Sequence, residues 1–496
     1  MPSSSGTKLA TEPGGAGRNQ LVHPSNAHKP YLLHPLPAKQ PLLVENAAGM
    51  FSTLKTGHRV LDACGVSIID HGSGAVQTAI VEQMNKVSYT HSMMHTNDAA
   101  EALARFLLQD QSLGLTKAYF VGSGSEAMES AMKLATSYHN ANGEPGRTHF
   151  VSRKQAYHGN TIGAMSISTH LGRKAPYEMA FNRLDVSHVS AAYAYRGQHA
   201  DETEVQYATR LVRELEAEFL KAGPHRVAAF VAETVGGSTA GCIAPPKTYF
   251  EGVRRICSKY GVLLILDEVM CGSGRTGTYF AFEAEGQVQP DLVTIGKGLS
   301  GGYLPIAATL VRGRVYDAIE SNGGFVHGHT YQAHPVSCAA ALAVQKIVRR
   351  VDVLSRCQQL GALLENRLKQ SLQGSKYVGD IRGRGLFWAV EFVEDTNSEQ
   401  PLDARFAFAN KMRSLAHERG VAMLSGTGTA DGLVGDHIML APPLLITKRE
   451  LSMLVSIVKL VYAQVETAYD EAKVSRANKA ITTTYQPPPT KVSQHR

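Results

Sequence analysis

Lys297 stands between Gly296 and Gly298 in TIGKGLSGG, directly after the apolar run DLVTI. A lysine in a confined site gives up its charge readily, because desolvation disfavours the ammonium, and the neutral amine can then attack an aldehyde. The flanking glycines let a ligand approach closely. The competing reading is a phosphate loop, but G-x-x-x-x-G-K-[ST] is not matched, since Gly298 follows the lysine. Upstream, Asp267 stands at the mouth of the fully apolar run VLLIL. An ionised carboxylate there needs a cationic partner, because leaving it unpaired in low dielectric is costly. A pyridinium nitrogen is such a partner, and keeping it protonated lets the ring absorb the electrons of a carbanion. A metal ligand or a capping aspartate is the alternative, and no neighbouring His or second acidic ligand supports a metal.

Three further groups have the chemistry to surround such a ring. In VGSGSEAMESAMKLA a strand runs through a Gly/Ser turn straight into a helix, which aims backbone N–H groups and the helix dipole at an anion. Gly124 and Ser125 are the candidate phosphate binders; an ordinary turn with a serine N-cap is an equally good reading of this motif alone. Tyr157, in Tyr157-His158-Gly159, could stack on a flat heterocycle, although a core tyrosine beside a turn glycine is the simpler view of the tripeptide by itself. Val269, two positions beyond Asp267, falls on the same side of its strand and could press on the opposite face of the ring. Thr330, in GHTYQAHPVSCAAALA, says little alone, and the small-residue helix after it is most simply a close-packed core element.

The elements that must position these groups are apolar runs alternating with helical patterns: KAYFV, HFVSR, VAAFVAE, VLLILDE, DLVTIG and IAATLVR. This pattern predicts βαβ units and an α/β fold built on a mainly parallel central sheet covered on both faces. Glu233, Asp267 and Lys297 each follow such a run, and in open α/β sheets sites gather at the carboxyl ends of strands. From about residue 345 long amphipathic helices, a strand pair around LFWAVEFV and a final helix after PPLLITKREL predict a separate, smaller α+β unit. The expected organisation is a disordered tail over 1–30, a segment 31–95 packing with the small unit, a large α/β domain over 96–344, the small domain over 345–472 and a flexible tail over 473–496. No repeat of fixed period is found.

At 496 residues, 43% hydrophobic and 19% charged, the chain has the composition of a soluble globular protein with a substantial core. Its net charge of +7 is spread without a long basic run, so no nucleic-acid partner is expected. The six cysteines are too few and scattered for a disulfide framework and contain no C-x-x-C pair. The N-terminus lacks the apolar core of a secretory signal, and no uninterrupted apolar run is long enough to span a bilayer. The cytoplasm is the expected address, with a cleaved organelle presequence left open.

Taken together and in this order, GSGSEA, YHG, DEV, TIGKG and GHTY closely resemble class III aminotransferases of pyridoxal phosphate (PLP) fold type I, from about residue 41 to 468. The resemblance implies that PLP is the cofactor, that Lys297 is the catalytic residue that holds it as a Schiff base and shuttles the proton, and that Asp267 pairs with its ring nitrogen. It further implies that Tyr157 and Val269 sandwich the ring, that Gly124 and Ser125 hold the phosphate, and that Glu233 lies on the substrate side. In this family the threonine of GHTY reaches the phosphate of the neighbouring subunit's cofactor, so Thr330 implies a homodimer. No metal and no membrane association are implied.

Two departures bear on specificity. Members acting on ornithine or γ-aminobutyrate place an arginine shortly before the PPL motif, where this chain has Met439. The flexible arginine that other members carry slightly upstream of GDH is replaced by SGTGTADGLVGDHI, so no motif-matched guanidinium captures a carboxylate. The Gly-rich insertion Ser425 to Gly435 is expected to reshape the pocket mouth. The implied activity is ping-pong transfer of an amino group from an amine, ω-amino or amino acid donor, preferably one with an unusual distal group, to a keto acid or aldehyde. A decarboxylase, aminomutase or racemase on the same scaffold is the nearest alternative; a non-catalytic PLP-binding protein is more remote.

Overall fold

Seven apolar runs assemble into one sheet because each is a string of residues that can be buried on both faces. In the computed structural model their spatial order is Leu115–Val121, Ala307–Arg312, Leu292–Ile295, Leu263–Asp267, Val227–Glu233, His149–Arg153 and Val186–Val189. The last five run parallel, and Ala307–Arg312 is antiparallel to both of its neighbours. Every residue of Val227–Glu233 and Leu263–Asp267 is buried, as a sheet covered on both faces requires. The structure describes residues 31–33, 41–180 and 184–484. The chain divides into Met1–Leu43 and Val44–Arg496, and the sheets and the cavity described below belong to the second unit.

The six runs singled out in the sequence are all strands of this sheet; the edge strand VSHV, short and half-polar, gave no comparable signal. Its crossover helices form for identifiable reasons. Glu204–Ala222 opens with a capping box between Thr203 and Gln206 and buries the stripe Tyr207, Leu211, Leu215, Phe219. Tyr249–Tyr260 ends at Gly261 with φ +68°, a left-handed stop that favours glycine.

A second, antiparallel sheet contains the strand pair expected around LFWAVEFV, Val378–Arg384 with Phe387–Asp395, and continues through Asp436–Leu440 to Leu424–Thr427. The N-terminal strands Val44–Ala48, Phe51–Leu54 and Arg59–Asp62 form a third sheet with Val421–Ala422. The expected boundary at 345 falls inside the helix Pro335–Val348; the helical course is interrupted at Arg349 and Arg350, before Val351–Ser371.

The final helix runs over Lys448–Thr484, past the expected end of order at 472, because residues such as Glu471, Ala472, Lys473 and Arg476 are good helix formers. The expected tail over 1–30 and the end of the other, 485–496, lie outside the described residues. Lys448–Arg476 is long and apolar enough on average to cross a membrane, although Lys459 interrupts it and no unbroken apolar run exists. Its Leu451, Leu454, Val458, Val461 and Val465 are buried in the main core, as in a helix that packs one face on a protein interior.

Candidate active site

The register of the parallel strands brings the polar strand ends together: Glu233 is opposite Asp267, and Asp267 is opposite Thr294. Lys297 follows the same edge of the sheet, and because Ala307 pairs with Val121 the Gly122–Ser125 turn reaches that edge too. A cavity of about 200 Å³ opens there, and Gly124, Ser125, Tyr157, Glu233, Asp267, Val269 and Lys297 all line it. Thr330 does not; it is exposed on a turn outside the cavity.

Asp267 is 5% exposed. One of its oxygens accepts the backbone N–H of Val269 at 3.0 Å, and the other lies 2.8 Å from Nδ1 of His158. Because an ionised carboxylate only accepts, that imidazole nitrogen donates. The opposite nitrogen of His158, Nε2, is buried and has no hydrogen-bond partner among the described residues. Nothing in the sequence assigns His158 this role, because no spacing rule ties a histidine in a loop to an aspartate 109 positions away.

Lys297 adopts φ +38°, a left-handed backbone that is strained for a residue with a Cβ and costs roughly 1–3 kcal/mol where the surroundings enforce it. Burial pushes its ammonium below the ordinary lysine range, against the opposing pull of Asp267 and Glu233. Glu233 accepts the N–H of Tyr157 at 3.1 Å and of Gly237 at 2.7 Å, and its own carbonyl takes the Arg153 guanidinium. Burial, with Asp267 beside it, raises its carboxyl above the usual range.

The helix Gly124–Ala141 begins at Ser123, whose hydroxyl caps the N–H of Glu126, while the Glu126 carboxylate accepts the N–H of Gly122 at 2.7 Å. The N–H groups of Gly124 and Ser125 have no carbonyl within the helix to take, so an anion can satisfy them. The Ser125 hydroxyl accepts the N–H of Asn160 at 3.0 Å and so joins this turn to the Tyr157 loop. Two glycines are required by the space between them. A Cβ on Gly124 would stand 2.8 Å from Val269 Cγ1, and one on Gly159, whose φ is +136°, 2.7 Å from the Ser125 hydroxyl.

This donor set fits a small phosphorylated heteroaromatic aldehyde. The backbone donors of Gly124 and Ser125 could take its phosphate, the buried Asp267 with its orienting imidazole could meet a ring nitrogen, Tyr157 and Val269 could wall the ring, and Lys297, whose charge burial disfavours, could meet the aldehyde. Met439 does not line the cavity. It is 2% exposed and packs in an apolar cluster with Ala389 and with Met270, which does line it. The Ser425–Gly435 segment forms a hairpin between Leu424–Thr427 and Asp436–Leu440, and it lies against the wall that bears Tyr157. Gln155 donates to the carbonyls of Gly428 and Thr429 at 3.2 and 2.6 Å, and a Cβ on Gly432 would come within 3.2 Å of the Thr169 carbonyl.

The sequence model of the family described as Aminotransferase class-III matches residues 36–461. An uncharacterised aminotransferase of Schizosaccharomyces pombe (strain 972) is 43% identical over 416 residues, covering 83% of this chain and 90% of its own. A probable mitochondrial γ-aminobutyrate transaminase 3 of Oryza sativa subsp. indica is 36% identical, covering 81% and 79%. The solved ω-transaminase of Pseudomonas jessenii, in complex with PMP, superimposes with a TM-score of 0.82 at 31% identity over 89% of this chain and 97% of its own. The chain therefore belongs to the class III aminotransferases, fold type I enzymes of a family that uses pyridoxal phosphate, and it is a transaminase.

Proposed function

We propose that this transaminase holds pyridoxal 5'-phosphate on Lys297 as a Schiff base and moves an amino group from an amine or ω-amino donor to a keto acid or aldehyde by a ping-pong course. The observation that supports this most is the buried Asp267–His158 pair facing the same cavity as a lysine whose charge is disfavoured. When bound, the cofactor supplies a ring that takes up the electron pair left as the donor's C–H bond breaks, and it stores the amino group between half-reactions.

The residues do the remainder. Nζ of Lys297, once displaced by the donor amine, is a neutral base within the cavity and can accept the carbon-bound proton and return it. Asp267 keeps the ring nitrogen protonated, and His158 fixes the carboxylate's direction. Tyr157 and Val269 hold the ring plane, the N–H groups of Gly124 and Ser125 with the helix dipole bind the phosphate, and Glu233 borders the substrate side.

A homodimer is part of this reading. Met93, Met94, Val326 and Tyr331 are 88%, 79%, 94% and 67% exposed, and the rings of Tyr89 and Tyr331 meet edge to face at 6.3 Å. Exposed apolar side chains of this kind, two of them flanking Thr330 in the chain, are what a subunit interface would cover, and the exposed Thr330 would then reach a neighbour's phosphate. The six unpaired thiols fit a reducing compartment, and we place the enzyme in the cytoplasm.

Single-turnover mixing of the holoenzyme with amine donors tests the activity: the cofactor absorbance should convert fully without an acceptor and recover when a keto acid is added. Release of carbon dioxide, or turnover that needs no acceptor, would instead indicate another reaction on this scaffold.

A further inference from the structure

The guanidinium of Arg173 lies over the ring of Tyr157, with Cζ 4.7 Å from the ring centroid. Arg173 itself is exposed and stands outside the residues that line the cavity, against Tyr157, which does line it. Among the described residues no carboxylate pairs with it, although a guanidinium is built to take a carboxylate through two parallel hydrogen bonds.

The backbone that presents Arg173 is held in place. Thr169 exchanges bonds with Ala156, its hydroxyl accepting that N–H at 2.9 Å and its own N–H donating to the Ala156 carbonyl at 2.9 Å; the same hydroxyl donates to the Arg153 carbonyl. Lys174 ties the next turn down through the carbonyls of Ser166 and Ser168. The Gly-rich hairpin closes the other side, since Gly432 approaches Thr169 and Leu171.

A second polar group is buried beside it. His170 is 8% exposed, its Nδ1 has no partner among the described residues, and that nitrogen lies 4.0 Å from where a Cβ on Gly172 would stand. Its ring also meets Tyr157 edge to face at 6.3 Å. One unpaired cation and one unpaired imidazole nitrogen thus flank the ring that walls the cavity.

We propose that Arg173, supported by His170, is the group that recognises a carboxylate on the amino donor, and that the donor's carboxylate is therefore remote from its reacting amine. Lys297 lines the cavity whereas Arg173 is exposed outside the lining and over Tyr157, so a donor that engages both carries its amine and carboxylate at opposite ends. Arg173 sets specificity and takes no part in proton transfer. The inference rests on the transaminase reading of the cavity, and its test separates the two.

Arg173→Gln and Arg173→Lys are compared with the wild-type holoenzyme in single-turnover mixing with 4-aminobutyrate and 5-aminopentanoate, and with n-butylamine and 4-aminobutyramide as uncharged controls. The Gln variant should need roughly 10- to 100-fold more of the carboxylate donors for half-saturation, with the limiting rate and the uncharged donors unchanged. The Lys variant should recover part of the loss. Binding of pentanoate, an unreactive carboxylate, measured by calorimetry, should be weakened in Arg173→Gln, while pentanamide should show no such difference. Equal losses for charged and uncharged donors, unchanged pentanoate binding, failure of the wild type to bind pentanoate, or a fall in cofactor affinity would overturn the assignment to Arg173. Failure of every donor to react with wild type while pentanoate binding still depends on Arg173 would instead overturn the transaminase reading and leave the anion site standing.

Discussion

Nδ1 of His158 donates to Oδ2 of Asp267 at 2.8 Å, with both side chains almost fully buried at the carboxyl edge of the central sheet. A hydrogen bond to a buried charged group contributes about 1.5–3 kcal/mol. His158→Ala should therefore lower kcat by roughly 10- to 100-fold while leaving KM for the donor nearly unchanged, because the imidazole acts through Asp267 and touches no substrate. His158→Gln, which can still donate, should recover part of the loss. A mutant defective only in KM would contradict this role.

Asp267→Asn keeps the shape and removes the charge. With no carboxylate to hold the ring nitrogen protonated, the limiting rate should fall by on the order of 10²–10³-fold, the scale seen when a preorganised electrostatic partner is removed. Steady-state kinetics of a variant shown by absorbance to be fully loaded with cofactor is the check.

The space between Gly124 and Val269 admits no extra carbon. Gly124→Ala would place a Cβ 2.8 Å from Val269 Cγ1, and overpacking of this kind costs roughly 1–3 kcal/mol. The expected result is cofactor affinity reduced by about 10-fold or more in absorbance titrations, restored in part by Val269→Ala. Additive losses in the double variant would show that the two residues do not share the space.

The pH dependence of cofactor loading follows from Lys297. The neutral amine is the attacking form, and burial moves its pKa down, so the rate at which apoenzyme takes up PLP should rise with pH and level off below the ordinary lysine value of about 10.4. A rate still climbing through that value would mean that the amine is not desolvated.

Much of the site was legible before the structure because a polar residue at the end of a fully apolar run has few places to go: Glu233, Asp267 and Lys297 each closed such a run, and strand register then set them side by side. The Gly122–Ser125 turn at the edge of the sheet was legible from its strand–turn–helix pattern. What the sequence could not convey were pairings between distant loops. Nothing in YHG points to Asp267, and Arg173 is one of many arginines until the fold lays it over Tyr157. Met439 stands where other members place an arginine, and Asp436–Leu440 buries it among apolar neighbours. The split of the helical run at Arg349 and Arg350 was equally hidden, since amphipathic periodicity continues across it.

Arg275 does not line the cavity, yet it is 1% exposed and its guanidinium donates to the carbonyls of Gly65, Leu386 and Pro442, joining three distant stretches of chain. Burial lowers its pKa to about 10, which leaves it charged at neutral pH. Arg275→Met should destabilise the fold by about 3 kcal/mol or more, seen as a lower denaturation midpoint with an unchanged slope.

Lys297 is proposed to hold the cofactor. Reduction of the holoenzyme with borohydride followed by peptide mapping by mass spectrometry tests it most directly. The label is expected on Lys297, with none retained by Lys297→Ala; a label on another lysine, or full labelling of Lys297→Ala, would contradict the account.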